Sequence, residues 1–90
     1  MKRFHAIVDG KVQGVGFRYF TQLTATKHLL TGWVRNKLDG TVEIEVQGNP
    51  DQIVNFFSSL EKPKFPAKVS DIKSNEINID ENEEKFSIRG

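Results

Sequence analysis

The amino-acid pattern predicts an α+β fold, a split β-α-β sandwich with two helices on one face of an antiparallel sheet. Three observations predict it. Segments of two-residue alternation and segments of helical spacing succeed one another as β-α-β-β-α-β, with a short extra strand at the end. Asp39-Gly40, a strong hairpin signal, joins the two middle strands. Ninety residues with no cysteine make one domain, residues 1–90, that must be held by packing and not by disulfides.

The first strand is read from Phe4, Ala6 and Val8 alternating with His5, Ile7 and Asp9. Gly10, Gly14 and Gly16 then mark a loop able to take positive φ. From Phe17 to about Leu30 there is no Gly or Pro, and Phe17, Phe20, Thr21, Thr24, Ala25 and His28 recur at helical spacing. Gly32 is the expected stop for this helix. Residues 32–37 and 41–46 read as the hairpin strands, the second with Val42, Ile44 and Val46 on one side and Glu43, Glu45 and Gln47 on the other. Ile53, Phe56, Phe57 and Leu60 set the second helix, with Pro50 and Asp51 suited to its first turn. Pro63 and Pro66 end it, and residues 69–79 and 85–89 are extended. Trp33, Phe56 and Phe57 are expected in the core. The order is that of the ferredoxin-like architecture, which hosts enzymes, RNA binders and regulatory modules alike.

Composition narrows the function. The absence of cysteine removes thiol catalysis and zinc ribbons. A net charge of +1 argues against nonspecific binding to DNA or an acidic membrane. The apolar start is too short for a signal peptide and is broken by Asp9, so a cytoplasmic protein is expected, with no membrane partner. Asp71, Glu76, Asp80, Glu81, Glu83 and Glu84 stand against Lys73 alone and read as a solvated edge and turn.

The segment that carries chemistry is Val8-Asp9-Gly10-Lys11-Val12-Gln13-Gly14-Val15-Gly16-Phe17-Arg18. A glycine-rich turn running straight into a helix gathers main-chain N–H groups at the positive end of the helix dipole, a site suited to an anion such as phosphate. Arg18, where the helix opens, can grip two phosphate oxygens with its planar fork. Spacing alone leaves the alternative of a plain tight turn beside a surface cation. The segment is not a nucleotide P-loop, lacking Gly-Lys-Ser/Thr, nor a dinucleotide fingerprint, since Tyr19 replaces the third glycine.

This segment resembles the first signature of the acylphosphatase family. Gly32-Trp33-Val34-Arg35-Asn36-Lys37-Leu38-Asp39-Gly40-Thr41-Val42, running on to Gly48, is similar to the second. The likeness extends to Phe86-Ser87-Ile88-Arg89, and departs at Gly90, where many members carry an aromatic residue. It implies a small hydrolase that splits the carboxyl–phosphate bond of acyl phosphates by direct attack of water. It also implies roles: Arg18 and the N–H groups of Gln13, Gly14, Val15, Gly16 and Phe17 bind the phosphoryl group, and Asn36 positions the water. Asn36 lies two residues after Val34, hence on the same strand face; the alternative is an asparagine that only caps a turn.

No metal and no cofactor are expected, because an activated anhydride leaves as carboxylate without help and no carboxylate or histidine cluster is in view. The expected partners are a small-molecule acyl phosphate and inorganic phosphate at the loop, acting on a monomer. Two rival readings differ in class. RNA binding on the open sheet face is opposed by Glu43 and Glu45, so no nucleic-acid partner is expected. A regulatory or carrier domain would bind a phosphorylated carboxylate or carbamate without turning it over. His5 and His28 read as structural or exposed, Asp9 as a strand-end carboxylate able to orient the loop, and Lys62 and Lys64 as a solvated turn.

Overall fold

The structure, a computed structural model, describes residues 1–90. Its elements are β1 (Lys2–Lys11), α1 (Phe17–Lys27), β2 (Thr31–Asn36), β3 (Val42–Gly48), α2 (Pro50–Leu60), β4 (Lys68–Ile77) and β5 (Phe86–Arg89). They build one sheet in the order β4-β1-β3-β2-β5. The first four strands are antiparallel to their neighbours, and β5 joins β2 in parallel. The α+β sandwich read from the sequence is therefore present, with the extra strand as a fifth member of the sheet. No helix is long and apolar enough to cross a membrane.

The alternation in β1, β2 and β3 decides the core. Ala6 pairs with Ile44, Val8 with Val42 and Val34 with Ile44, so these side chains stand in rows on the face beneath the helices. Phe17, Ala25 and Leu30 from the α1 region and Ile53, Phe56 and Leu60 from α2 close over them. The weakly apolar stripe of α1 works because its threonines need no outside partner. Thr21 Oγ1 donates to Phe17 O at 2.9 Å and Thr24 Oγ1 to Phe20 O at 2.8 Å, which leaves their methyl groups to pack. The α2 helix is capped in the ordinary way: Asp51 N donates to Asn49 Oδ1 at 2.8 Å, and Pro50 fills the first turn.

Four local readings change. The α1 helix stops at Lys27, and Leu29, not a glycine, takes the left-handed conformation at φ 60. Gly32 lies inside β2 at φ 146, where a Cβ would strike the carbonyl of Glu45 across the strands. Trp33 is buried on the opposite face from the helices, because it pairs with Glu45, and the Arg89 guanidinium stacks 4.8 Å above its ring. Phe57 is only half buried beside the core, edge-on to Phe56.

The acidic stretch is not wholly solvated either. Glu83 folds back over the open sheet face, where Arg3 donates to both its carboxylate oxygens at 2.8 and 3.1 Å. Arg3 also donates to Glu45 and Gln47, and Gln47 exchanges hydrogen bonds with the main chain of Asp80. Arg3 is thereby almost fully buried. Its guanidinium is resisted by burial, yet the hydrogen bonds and charges of Glu83 and Glu45 outweigh that and raise its pKa. Sequence separation hides this cluster: Arg3 and Glu83 are 80 positions apart.

Candidate active site

Residues 12–16 connect β1 to α1 at the end of the sheet where β2 also ends. Val12 is buried and anchors the connection to the core. Gly14 and Gly16 then take φ 71 and 79, the left-handed region that costs a side chain most, and so the loop turns twice within four residues. Gly16 is the N-cap of α1. It offers no side-chain acceptor, and no acid stands in the first helical turn. The two helices thus begin in opposite ways, α2 capped and α1 open. No acceptor within the protein engages the N–H groups of Gln13, Gly14, Val15, Gly16 or Phe17. Unpaired donors converging on a helix N-terminus form a nest of positive partial charge.

Arg18, half buried, follows directly, and its guanidinium makes no ion pair or hydrogen bond with the protein. It walls a hollow of about 200 Å³ together with Val12, Gly14, Gly16, Phe17, Tyr19 and Ile88. Ile88 belongs to β5 and pairs with Val34 of β2, so the hollow lies between the loop and the β2–β5 side of the sheet. Neither Ile88 nor Tyr19 was singled out from the sequence. For Ile88 the signal is the alternation with Phe86, which puts both on the helix face.

Asn36 ends β2 opposite Val42, on the face of Val34, as its spacing from Val34 suggests. It is not one of the walls of the hollow. Its Oδ1 is buried with no hydrogen-bond partner in the protein. Such an atom carries a desolvation cost of about 1–3 kcal/mol unless something meets it. The plain capping alternative for Asn36 therefore lacks its acceptor bond.

Loop and strand end are tied together by a side chain. Gln13 Nε2 donates to Lys37 O at 2.7 Å and to Thr41 O at 2.8 Å, the two carbonyls that flank the β2–β3 turn. The residue after Asn36 is thus pinned to the loop. On the other flank of that turn, Asp39 accepts from Thr41 N and Oγ1 at 3.0 and 2.6 Å, and these bonds lower its pKa. Asp9, by contrast, is exposed on β1 opposite Asp71 and does not hold the loop. His28 binds Gln52 and links the helices, and His5 donates to Glu43 on the far sheet face. No three His, Asp or Glu side chains converge as metal ligands would.

Fold and junction together define the class: a split β-α-β sandwich with open main-chain donors and a free guanidinium where β1 passes into α1. Comparison with known proteins gives the family. The sequence model of the acylphosphatase family matches residues 4–88. The acylphosphatase of Clostridium beijerinckii is 54% identical over 89 residues, covering 99% of each chain. The crystal structure of acylphosphatase from Bacillus subtilis superposes with a TM-score of 0.95 at 42% identity, covering all of both chains. Full-length HypF in its phosphate- and nucleotide-bound form contains a similar unit, with TM-score 0.87 and 28% identity over 99% of this chain but 12% of HypF. The chain belongs to the acylphosphatase family and is a hydrolase.

Proposed function

We propose that the chain hydrolyses small-molecule acyl phosphates to carboxylate and inorganic phosphate. The phosphoryl group sits over the junction of β1 and α1. There the N–H groups of Gln13, Gly14, Val15, Gly16 and Phe17 and the fork of Arg18 take its oxygens. The Asn36 carboxamide holds a water, its Oδ1 accepting a hydrogen bond from one O–H and leaving an oxygen lone pair for phosphorus. Water attacks in line, the bond between phosphorus and the acyl oxygen breaks, and its electron pair leaves as the carboxylate. The proton of the attacking water passes to a phosphoryl oxygen. An amide is too weak a base to take it, and the good leaving group means that no strong base is required.

The observation that carries this reading is the run of unpaired N–H groups at an uncapped helix start beside an unpaired guanidinium. Donors already in place need no reorganisation as charge shifts in the transition state. Family membership supplies the substrate class, and the buried, partnerless Oδ1 of Asn36 supplies an acceptor for the water.

The test is release of phosphate from acetyl phosphate. Arg18→Lys keeps the charge and loses the fork, so kcat/KM is expected to fall about 10²–10³-fold. Turnover near that of the unaltered chain would overturn the role of Arg18. Activity is expected to be the same with and without a chelator, since neither the site nor the rest of the chain gathers metal-ligating side chains.

A further inference from the structure

Lys64 is the lysine that the fold brings to the phosphate loop, and the mechanism gives it no task. It lies in the connection from α2 to β4 and lines a hollow of about 270 Å³ together with Val15, Gly16 and Phe17. No other lysine lines that hollow or the adjoining one walled by Arg18. Its backbone is held in a turn, where Lys64 O accepts from Ala67 N at 3.0 Å. Its side chain is exposed and forms no ion pair. A flexible four-carbon stem leaves such an amine free to sweep the hollow.

We propose that Lys64 is a self-acylation site, its amine taking the acyl group from an acyl phosphate held at the loop. The inference rests on the phosphoryl reading given above. An acyl phosphate has two electrophilic atoms, phosphorus and the acyl carbon, joined through one bridging oxygen. The water held by Asn36 is aimed at phosphorus. The acyl carbon stands one oxygen further on, beside Val15, Gly16 and Phe17, which wall the hollow that Lys64 lines. Toward a carbonyl carbon, a lysine amine is an effective nucleophile. The neutral amine bonds to the acyl carbon, the bond from that carbon to the bridging oxygen breaks, and its electron pair leaves on inorganic phosphate. The extra proton on nitrogen passes to the departing phosphate, and an amide remains. An amide is far less activated than an anhydride, so each chain is marked once and the reaction does not turn over. The marked side chain has lost its charge. Proximity sets the selectivity. A lysine elsewhere meets acyl phosphate at its bulk concentration, whereas Lys64 meets a bound one at the higher effective concentration of a shared hollow.

The experiment maps lysine acetylation by mass spectrometry during exposure to acetyl phosphate fed at constant concentration, with phosphate release followed alongside. It uses the unaltered chain and Asn36→Ala, in which water attack is expected to be lost while bound substrate persists. Lys64 is expected to be acetylated about tenfold faster than Lys27 and Lys85, exposed lysines at the end of the molecule away from the loop. The preference should be larger in Asn36→Ala than in the unaltered chain. Saturating inorganic phosphate should bring Lys64 down to the rate of the other two and leave theirs unchanged. Equal rates at the three lysines, or a Lys64 rate that phosphate does not move, would overturn the acylation site alone, provided the unaltered chain releases phosphate. No release of phosphate by the unaltered chain would overturn the phosphoryl reading and this inference with it.

Discussion

In the proposed mechanism three side chains divide the work at the loop, and each is expected to fail differently. On the proposed mechanism, removing the Asn36 amide takes away the water's holder but none of the phosphate donors. Asn36→Ala is therefore expected to bind inorganic phosphate within about twofold of the unaltered chain while kcat falls about 10²-fold or more. Parallel loss of both would make Asn36 a phosphate ligand. Gln13 reaches neither water nor phosphate with its side chain, since Nε2 is committed to Lys37 O and Thr41 O. Gln13→Glu keeps the size and turns a carboxylate onto those two carbonyls. Turnover should fall about tenfold or more, chiefly in kcat, and Gln13→Ala should fall less than Gln13→Glu. The glycine-rich turn before a helix singles out Arg18 in the sequence, whereas Asn36 is singled out only through the resemblance to the family's second signature, since an asparagine before a turn reads by itself as a cap. The bracing by Gln13 was not legible, since its partners lie 24 and 28 positions along the chain and are backbone atoms.

At the scale of elements, the open N-terminus of α1 sets a stability cost against the proposed phosphate site, whereas α2 has the cap that α1 lacks. Asn49→Ala should destabilise the fold by about 1 kcal/mol in chemical denaturation, with kcat/KM unaltered. Leu29 tells the reverse story. It is 87% exposed and holds φ 60, a conformation that costs a side chain about 1–2 kcal/mol. Leu29→Gly is expected to stabilise the protein by about 0.5–1 kcal/mol after glycine's own entropy cost. The end of α1 was misjudged for the same reason: Gly32 looked like the left-handed stop, but close strand approach requires it there and Leu29 bears the turn. The hairpin and α2 were legible because Asp39-Gly40 and the Ile53–Phe56–Leu60 spacing act locally. The placement of Trp33 on the sheet face away from the helices depends on strand pairing, which a hydrophobic pattern alone does not show.

For the whole molecule, the two faces of the sheet carry different physics. The helix face is a dry core, and Phe56→Ala there should cost about 3–5 kcal/mol. The open face is stitched by charge. Arg3→Ala leaves Glu83 and Glu45 facing each other's surroundings without their cation, and should cost about 2 kcal/mol, below the 3–5 kcal/mol of a fully enclosed pair because both acids keep some water. Glu43 lies between His5, at 2.6 Å, and Arg35, at 2.6 Å. Burial acts to raise its pKa, but those two hydrogen bonds and charges prevail and lower it from 4.5. A depressed carboxylate contributes stability that is complete above the unfolded value and is lost as pH falls through the folded one. Stability should therefore drop as pH is taken below about 4.5, and Glu43→Gln should flatten that acid limb in urea titrations at successive pH values. The acidic stretch was read as solvated because nothing near it in sequence names Arg3 as a partner.

The most direct measurement is a crystal structure with inorganic phosphate bound. The ion should lie within hydrogen-bond distance of the main-chain nitrogens of residues 13–17 and the Arg18 guanidinium, with an ordered water on Asn36 Oδ1 facing phosphorus. Phosphate bound elsewhere, or a loop whose nitrogens point away from it, would contradict the assignment.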